Sequence, residues 1–329
     1  MPKRTPPANA VQLAEALDVR LTREAERSYR AFLELLWPVL EPHTPFRPGP
    51  HIDFLCEMLE QVCAGRVMQV VINIPPRYGK SYLVSVFFPV WWWLHEPGHR
   101  FLCVSHSDAL AERHALLRRQ LIEAHEFQRR WGTRVQLRRD QRSKRHLQNT
   151  QGGVLHATSV GAGVTGFGGH VVILDDPHTP DEVETPVQRQ RVHDMYRATL
   201  ATRHDDKHRA VTLLAMQRLH ADDLAARLPM EGATHLCLPA FAPARQTLHF
   251  PRSGRTWVRR PDDVLWPAHE SRAQLLAQQQ RMGSRRFTEQ YQTTGRPVAQ
   301  RSRSTRRRGA HDKALQPRLF NKFPTQLAN

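Results

Sequence analysis

An apolar run, Val67–Ile74 (VMQVVINI), passes straight into Pro75-Pro76-Arg77-Tyr78-Gly79-Lys80-Ser81, and a second apolar stretch follows up to about Leu94. The first run has the length and continuity of a strand buried on both faces. The second reads as a helix, kinked at Pro89 and closed by Pro97-Gly98. A turn between a buried strand and a helix start offers free backbone N–H groups and the positive end of a helix dipole, which favour an anion. Gly79 allows close backbone approach, Lys80 can reach β/γ-phosphate oxygens, and the Ser81 hydroxyl can ligate Mg²⁺. The complete pattern has a glycine five residues before Gly79. Ile74 stands there, so only the Gly-Lys-Ser half matches. A surface turn with an incidental lysine is the plain alternative, and the strand–helix context weighs against it.

Strand and helix patterns alternate beyond this point. Further strands are expected at Arg100–Ser105, Val171–Leu174 and His208–Ala215, with helices over about 108–124 and 185–199 and another from about Asp222. Helical periodicity also covers residues 11–40 and 51–64. This is the pattern of a parallel sheet with helices on both faces. Residues 125–150 are polar and basic, and Gly152–Gly169 is glycine-rich. The expected division is an N-terminal helical segment (1–45), an α/β core (46–250), a peripheral or linker region (251–300) and a basic, disordered tail (301–329).

Val171–Leu174 ends in Asp175-Asp176-Pro177, which puts two acids at the carboxyl end of a strand, where ligands of parallel sheets bind. One carboxylate there can hold Mg²⁺, usually through water, and the second can orient or deprotonate an attacking water. We assign Asp175 to the metal and Asp176 to the water. Asp-Asp-Pro is also ordinary turn chemistry, which is the competing reading. The fourth strand ends in Gln217-Arg218-Leu219-His220, polar side chains that would face the same ligand and could report its cleavage. Asp222-Asp223-Leu224 reads as a helix start rather than a metal site.

Lys and Arg exceed Asp and Glu to give a formal charge of +17 over 329 residues, which makes a polyanion, nucleic acid first, the expected partner. The excess is concentrated. Residues 112–145 hold eleven Lys/Arg against four acids, and residues 296–329 hold nine against Asp312 alone. The four cysteines form no CxxC pair and read as reduced thiols. MPKRTPPANA lacks the apolar core of a signal peptide, and no apolar run is long enough to span a bilayer, so no membrane role is expected. Trp91-Trp92-Trp93 could stack on bases but fits packing against the sheet better.

Taken together, these motifs resemble the large terminase subunit of tailed bacteriophages, the ATP-driven DNA-packaging motor. The resemblance covers roughly residues 40–298. It rests on Pro75–Ser81, the glycine-rich Ser159–Gly168 ahead of Ile173–Pro177, Gln217–His220 with Asp222-Asp223-Leu224, Leu265-Trp266-Pro267, and the Tyr291–Pro297 segment. It implies a P-loop NTPase of the RecA-like, additional-strand catalytic-glutamate type, α/β with a mainly parallel central sheet, using ATP and Mg²⁺. It implies that Pro76, Arg77, Tyr78, Gly79, Lys80 and Ser81 bind nucleotide, that Ser81 and Asp175 hold the metal, and that Asp176 is catalytic, a position occupied by Glu in many relatives. Arg77 could stabilise transferred charge beside Lys80. Gln217, Arg218 and His220 match the coupling motif, and the Phe46–His51 region is where an adenine pocket is expected. Implied partners are double-stranded DNA, a small terminase subunit, the portal protein and prohead, and further copies of the chain in a ring, in the cytoplasm of the bacterial host.

Large terminases continue into a metal-dependent nuclease built on clustered carboxylates. After Glu289 this sequence has one acid, Asp312, so nuclease activity is expected to be absent. Two alternatives remain open from sequence: an inactive prophage remnant that binds nucleotide or nucleic acid, and a helicase-like P-loop ATPase.

Overall fold

A computed structural model of the chain describes residues 8–140, 143–162 and 166–293. The basic tail, Arg142, Gly163–Thr165 and positions 294–297 of the Tyr-Gln…Arg-Pro segment lie outside the described residues. The helical region near the start is two helices, α1 (Ala8–Arg27) and α2 (Tyr29–Leu40), divided at Ser28. Ser28 is extended, and its hydroxyl accepts from the N–H of Ala31, which is a cap that starts a new helix. Helix α3 (Pro50–Cys63) follows, with proline at its first turn, where no N–H is needed.

The central sheet has seven strands: β1 (Gln69–Asn73), β2 (Arg100–Ser105), β3 (His146–Gln148), β4 (Val154–Ser159), β5 (Val171–Asp175), β6 (Val211–Met216) and β7 (Thr234–Cys237). Their order is β3-β4-β2-β5-β6-β1-β7, and every pairing is parallel except β3 with β4. β6 stands between β1, which leads into Gly-Lys-Ser, and β5, which ends in Asp175. This is the additional-strand arrangement of the expected α/β class.

Alternation along the strands divides the core in two. Val70, Ile72, Phe101, Ile173 and Leu213 pack with α2, α3 and the helical run after the Pro75–Ser81 loop. Val71, Leu102, Val172, Leu174 and Leu214 pack on the other face with α7 (Pro186–Asp194), Tyr196, Leu200 and α8 (Leu224–Met230). Strand side chains buried on both faces explain why these runs are apolar without alternation, and each fully buried Val, Leu or Ile contributes about 1.5–3 kcal/mol.

The helix after the loop differs from the expected kink. Tyr82–Phe87 is π-helical and passes into α4 (Phe88–Trp92), where Pro89 sits in the first turn. The wider turn is stabilised from outside, since the Tyr29 hydroxyl donates to the Leu83 carbonyl. Trp91, Trp92 and Trp93 are all buried, so they pack within the core. Helices α5 (Asp108–Glu123) and α6 (His125–Trp131) follow β2.

Three strands of the central sheet went unread in the sequence. β3 and β4 fall in the polar and glycine-rich stretches, and β4 is held by residue-by-residue pairing with β2, from Arg100–Val154 to Ser105–Ser159. β7 is short and half-buried, added beside β1. The remaining residues form a hairpin, β8 (Gln246–His249) and β9 (Thr256–Arg259), and two helices, α9 (Arg272–Met282) and α10 (Ser284–Gln290). The four cysteines are unpaired. Among the described residues, no helix is long and apolar enough to cross a membrane.

Candidate active site

The carboxyl ends of β1, β5 and β6 bring the expected residues to one place. From the loop after β1, the Lys80 ammonium lies 2.6 Å from Asp176 Oδ2. The Ser81 hydroxyl donates to Asp175 Oδ1 at 3.1 Å, and one turn further the Ser85 hydroxyl donates to Asp175 Oδ2 at 2.8 Å. His114 of α5 places Nδ1 3.6 Å from the same Oδ2. Asp175 is 1% exposed, whereas the Asp176 side chain keeps a fifth of its surface open.

Backbone geometry at this place departs from the ordinary. Arg77, Gly79 and Asp176 all have positive φ, at 64°, 87° and 46°. The φ of 87° at Gly79 is one that residues with a side chain rarely adopt, and a Cβ there would also push on Leu83 Cδ1, 2.9 Å away at the yielding end of its side chain. Asp176 is held in its left-handed conformation by its N–H donating to the Ala215 carbonyl of β6, and His106 Nδ1 lies 3.2 Å from its carbonyl. Two non-glycine residues in a sparsely populated conformation at a ligand-facing strand end are what a site over-determined by its surroundings looks like.

The electrostatics follow from burial against charge. Burial raises Asp175 and Asp176 above the usual carboxylate range, with the Lys80 ammonium opposing the rise. Burial works to lower Lys80 as well, but the two carboxylates outweigh it and the ammonium is held above its ordinary value. Burial brings His114 down to about 3, so it faces Asp175 as a neutral ring.

The donor set fits Mg²⁺ and a nucleotide phosphate. A hard cation takes a few carboxylate and hydroxyl oxygens and completes its shell with phosphate oxygens and water. Ser81 and Asp175 would provide that corner. Among the described residues no cluster of three or more His, Cys, Asp or Glu could hold a metal ion.

Other expected residues are placed differently. Arg77 is exposed at the loop tip, and Pro76 is half-buried. The Tyr78 ring is turned into the fold, against His51, Trp266 and His269, and its hydroxyl donates to Glu270 at 3.0 Å. Only its backbone lies in the loop. His51, in the region expected to hold adenine, is fully buried with Nε2 3.3 Å from the Tyr78 carbonyl. Gln217 follows β6, and its buried Oε1 has no hydrogen-bond partner among the described residues. Arg218 is drawn back onto Asp223 at 3.2 Å. His220 accepts from the N–H of Asp222 through Nδ1 and donates its own N–H to Asp223. Asp223 is completely buried, also accepts from the N–H groups of Leu219 and Ala226, and so caps α8.

Sequence reasoning missed Ser85, His114, Trp266 and Glu270 as parts of this environment. Ser85 was within reach, because it lies one helical turn after Ser81. Trp266 stands in the Leu265-Trp266-Pro267 motif, which by itself pointed to no place in the fold, whereas His114 and Glu270 arrive from distant segments with no local signal.

No protein-family model matches the chain, and no curated protein matches it by sequence. Among solved structures, the chain is similar to the large terminase of bacteriophage HK97. The TM-score is 0.47 at 12% identity, covering 80% of this chain and 55% of that one. It is also similar to the large terminase of a thermophilic bacteriophage, solved in complex with ADP, at a TM-score of 0.32 and 10% identity over 55% of this chain and 44% of that one. The chain thus resembles phage large terminases and spans about half the length of the ones it matches.

Proposed function

We propose that the chain is an ATP-hydrolysing motor subunit of a terminase-like machine that moves double-stranded DNA into viral proheads. One observation carries the ATPase reading. Lys80 and Ser81 of the strand–helix turn meet Asp176 and Asp175 across the intervening strand β6, one cation and one hydroxyl against two carboxylates. The DNA-packaging part rests on the order of the sequence motifs, with residues 46–250 as the motor core.

In this reading the loop backbone and Lys80 hold the β- and γ-phosphates, and Ser81 with Asp175 holds the cation. Mg²⁺ held by Ser81 and Asp175 would offset phosphate charge. Phosphate entering the loop competes with Asp176 for Lys80. Asp176, released, orients the attacking water and accepts its proton. Its partly exposed position at the strand end suits that role, whereas that of buried Asp175 does not. Arg77 at the loop tip is available to the transferred charge. Gln217, Arg218 and His220 would carry the change toward α8 through Asp223. Proposed partners are double-stranded DNA, a small subunit, a portal and prohead, and copies of the chain in a ring, in the host cytoplasm. Residues 290–329 hold a single acid, so we propose no nuclease function for them.

The test is ATP hydrolysis by the purified chain with and without double-stranded DNA, beside Lys80→Ala. DNA-stimulated phosphate release that disappears in the variant is expected. Hydrolysis at the parent rate in Lys80→Ala would overturn the assignment, and the absence of hydrolysis in the parent would favour a nucleotide-binding remnant.

A further inference from the structure

Behind Asp175 lies a narrow gap, with no room for a water molecule, whose polar lining is Ser85, Cys103, Ser105, His114, Arg118 and Asp175. Arg118, from α5, is fully buried. Its Nη1 donates to the Ser85 carbonyl at 3.1 Å and to Cys103 Sγ at 2.8 Å, while Nε and Nη2 have no partner among the described residues. A guanidinium stays ionised even in a protein interior, so a full positive charge is buried here with an incomplete set of acceptors. Burial on those terms is costly unless an opposite charge is near. Of the residues lining the gap, Asp175 is the one acid.

Ser85 connects the two. Its hydroxyl donates to Asp175 Oδ2 at 2.8 Å, while its carbonyl accepts from Arg118. The relay engages Oδ2 from behind. Oδ1 is left toward Ser81 and the phosphate loop. His114, the other polar neighbour of Oδ2, lies farther off at 3.6 Å.

We propose that Arg118 is a positioning residue for the metal-side carboxylate, acting through Ser85 to hold Asp175 in the orientation that presents Oδ1 to a cation shared with Ser81. The role rests on the ATP-site reading above. Partners of this kind behind a metal ligand characteristically set metal affinity, changing it by about 10–100-fold when lost. A residue that only filled the core would not act on the metal alone.

The test uses ADP as the nucleotide and Mn²⁺ as a spectroscopic substitute for Mg²⁺. Arg118→Lys keeps the charge and loses the fork, and Ser85→Ala breaks the link to Asp175. Folding of each is checked by circular dichroism. ADP affinity is measured in EDTA, and Mn²⁺ affinity of the ADP complex by paramagnetic resonance. Metal-free ADP affinity is expected to stay within about twofold of the parent, and Mn²⁺ half-saturation to rise about tenfold in both variants. Unchanged Mn²⁺ half-saturation in either folded variant would overturn the role, as would ADP affinity in EDTA falling in step with it. Should Arg118→Lys not fold, Arg118→Gln, which removes the charge and keeps a donor, is measured in its place, because Ser85→Ala leaves the carbonyl that Arg118 holds intact. Failure of the ATP-site reading is seen separately, as a parent chain that binds no ADP.

Discussion

Lys80 Nζ lies 2.6 Å from Asp176 Oδ2, so the cation that would grip a phosphate is held by the carboxylate that would face water. The pair closes the site on itself, and a phosphate must displace Asp176 to reach Lys80. Asp176→Asn should therefore separate binding from turnover. Loss of a general base costs about 10²–10⁴ in rate, while nucleotide affinity should hold or rise because Lys80 is no longer held by a charge. Single-turnover hydrolysis beside equilibrium ADP binding measures the split. Turnover near the parent rate would remove Asp176 from the chemistry.

Asp223 is a structural centre for the segment after β6. Four groups converge on its carboxylate: the N–H groups of Leu219, His220 and Ala226, and the Arg218 guanidinium. Asp223→Ala should cost about 3 kcal/mol, because it strands buried donors and a partly buried cation. Asp223→Asn, which keeps an acceptor, should cost roughly half as much. Urea denaturation of the variants checks the order, and equal midpoints would mean that the segment is held by packing alone.

Stability should fall on mild acidification. Burial lowers His51, His114 and His178 from the ordinary 6.5 to about 3 in each case. These rings are neutral in the folded chain and take up a proton on unfolding below about pH 6.5. The unfolded state then binds more protons, so stability is complete above pH 6.5 and declines as pH falls toward 3. Each ring contributes up to about 1.4 kcal/mol per pH unit in that window. Thermal melts at pH 7.5 and 5.5 should differ by several degrees, and coincident melts would contradict the burial of these rings as neutral groups.

The basic stretch 112–145 does not present its full charge to solvent. Arg119, Arg129, Arg130, Arg134, Arg138, Lys144 and Arg145 each lie within 4 Å of a carboxylate, and Asp18 and Glu26 of α1 provide partners from outside the stretch. Arg130 is almost buried between Asp18 and Glu126. Arg130→Ala should lower stability by about 2 kcal/mol and leave the salt dependence of DNA binding unchanged. Reversal of Arg138, Arg139 and Arg142 is the corresponding test of a DNA-facing surface. A flatter salt slope in Arg130→Ala would show that this residue meets phosphate after all.

Much of the sheet was legible because its strands are unusually plain. Val70–Ile72, Phe101–Val104, Val171–Leu174 and Val211–Met216 are buried on both faces, so each writes itself as an apolar run. β4 and β7 were not legible, since their residues are half-polar and become strands through pairing with β2 and β1. The same distinction governs the site. Lys80, Ser81, Asp175 and Asp176 were readable because strand ends and a helix start impose local residue choices. Arg118 and His114, on an unremarkable basic helix, and Glu270, nearly two hundred residues after Tyr78, carry no local mark.

By itself, the sequence determined which segments are strands buried on both faces and which residues stand at their carboxyl ends, because burial and turn chemistry act within a few residues of chain. The tertiary structure alone decided that β6 separates the loop strand from the carboxylate strand, that Tyr78 turns inward while Arg77 turns out, and that Arg129, Arg130 and Arg134 of the basic stretch pair with Asp18 and Glu26 of α1. Those outcomes depend on which distant groups become neighbours. Electrostatic and hydrogen-bond energies are set by separations of a few ångströms in space, which sequence spacing does not specify.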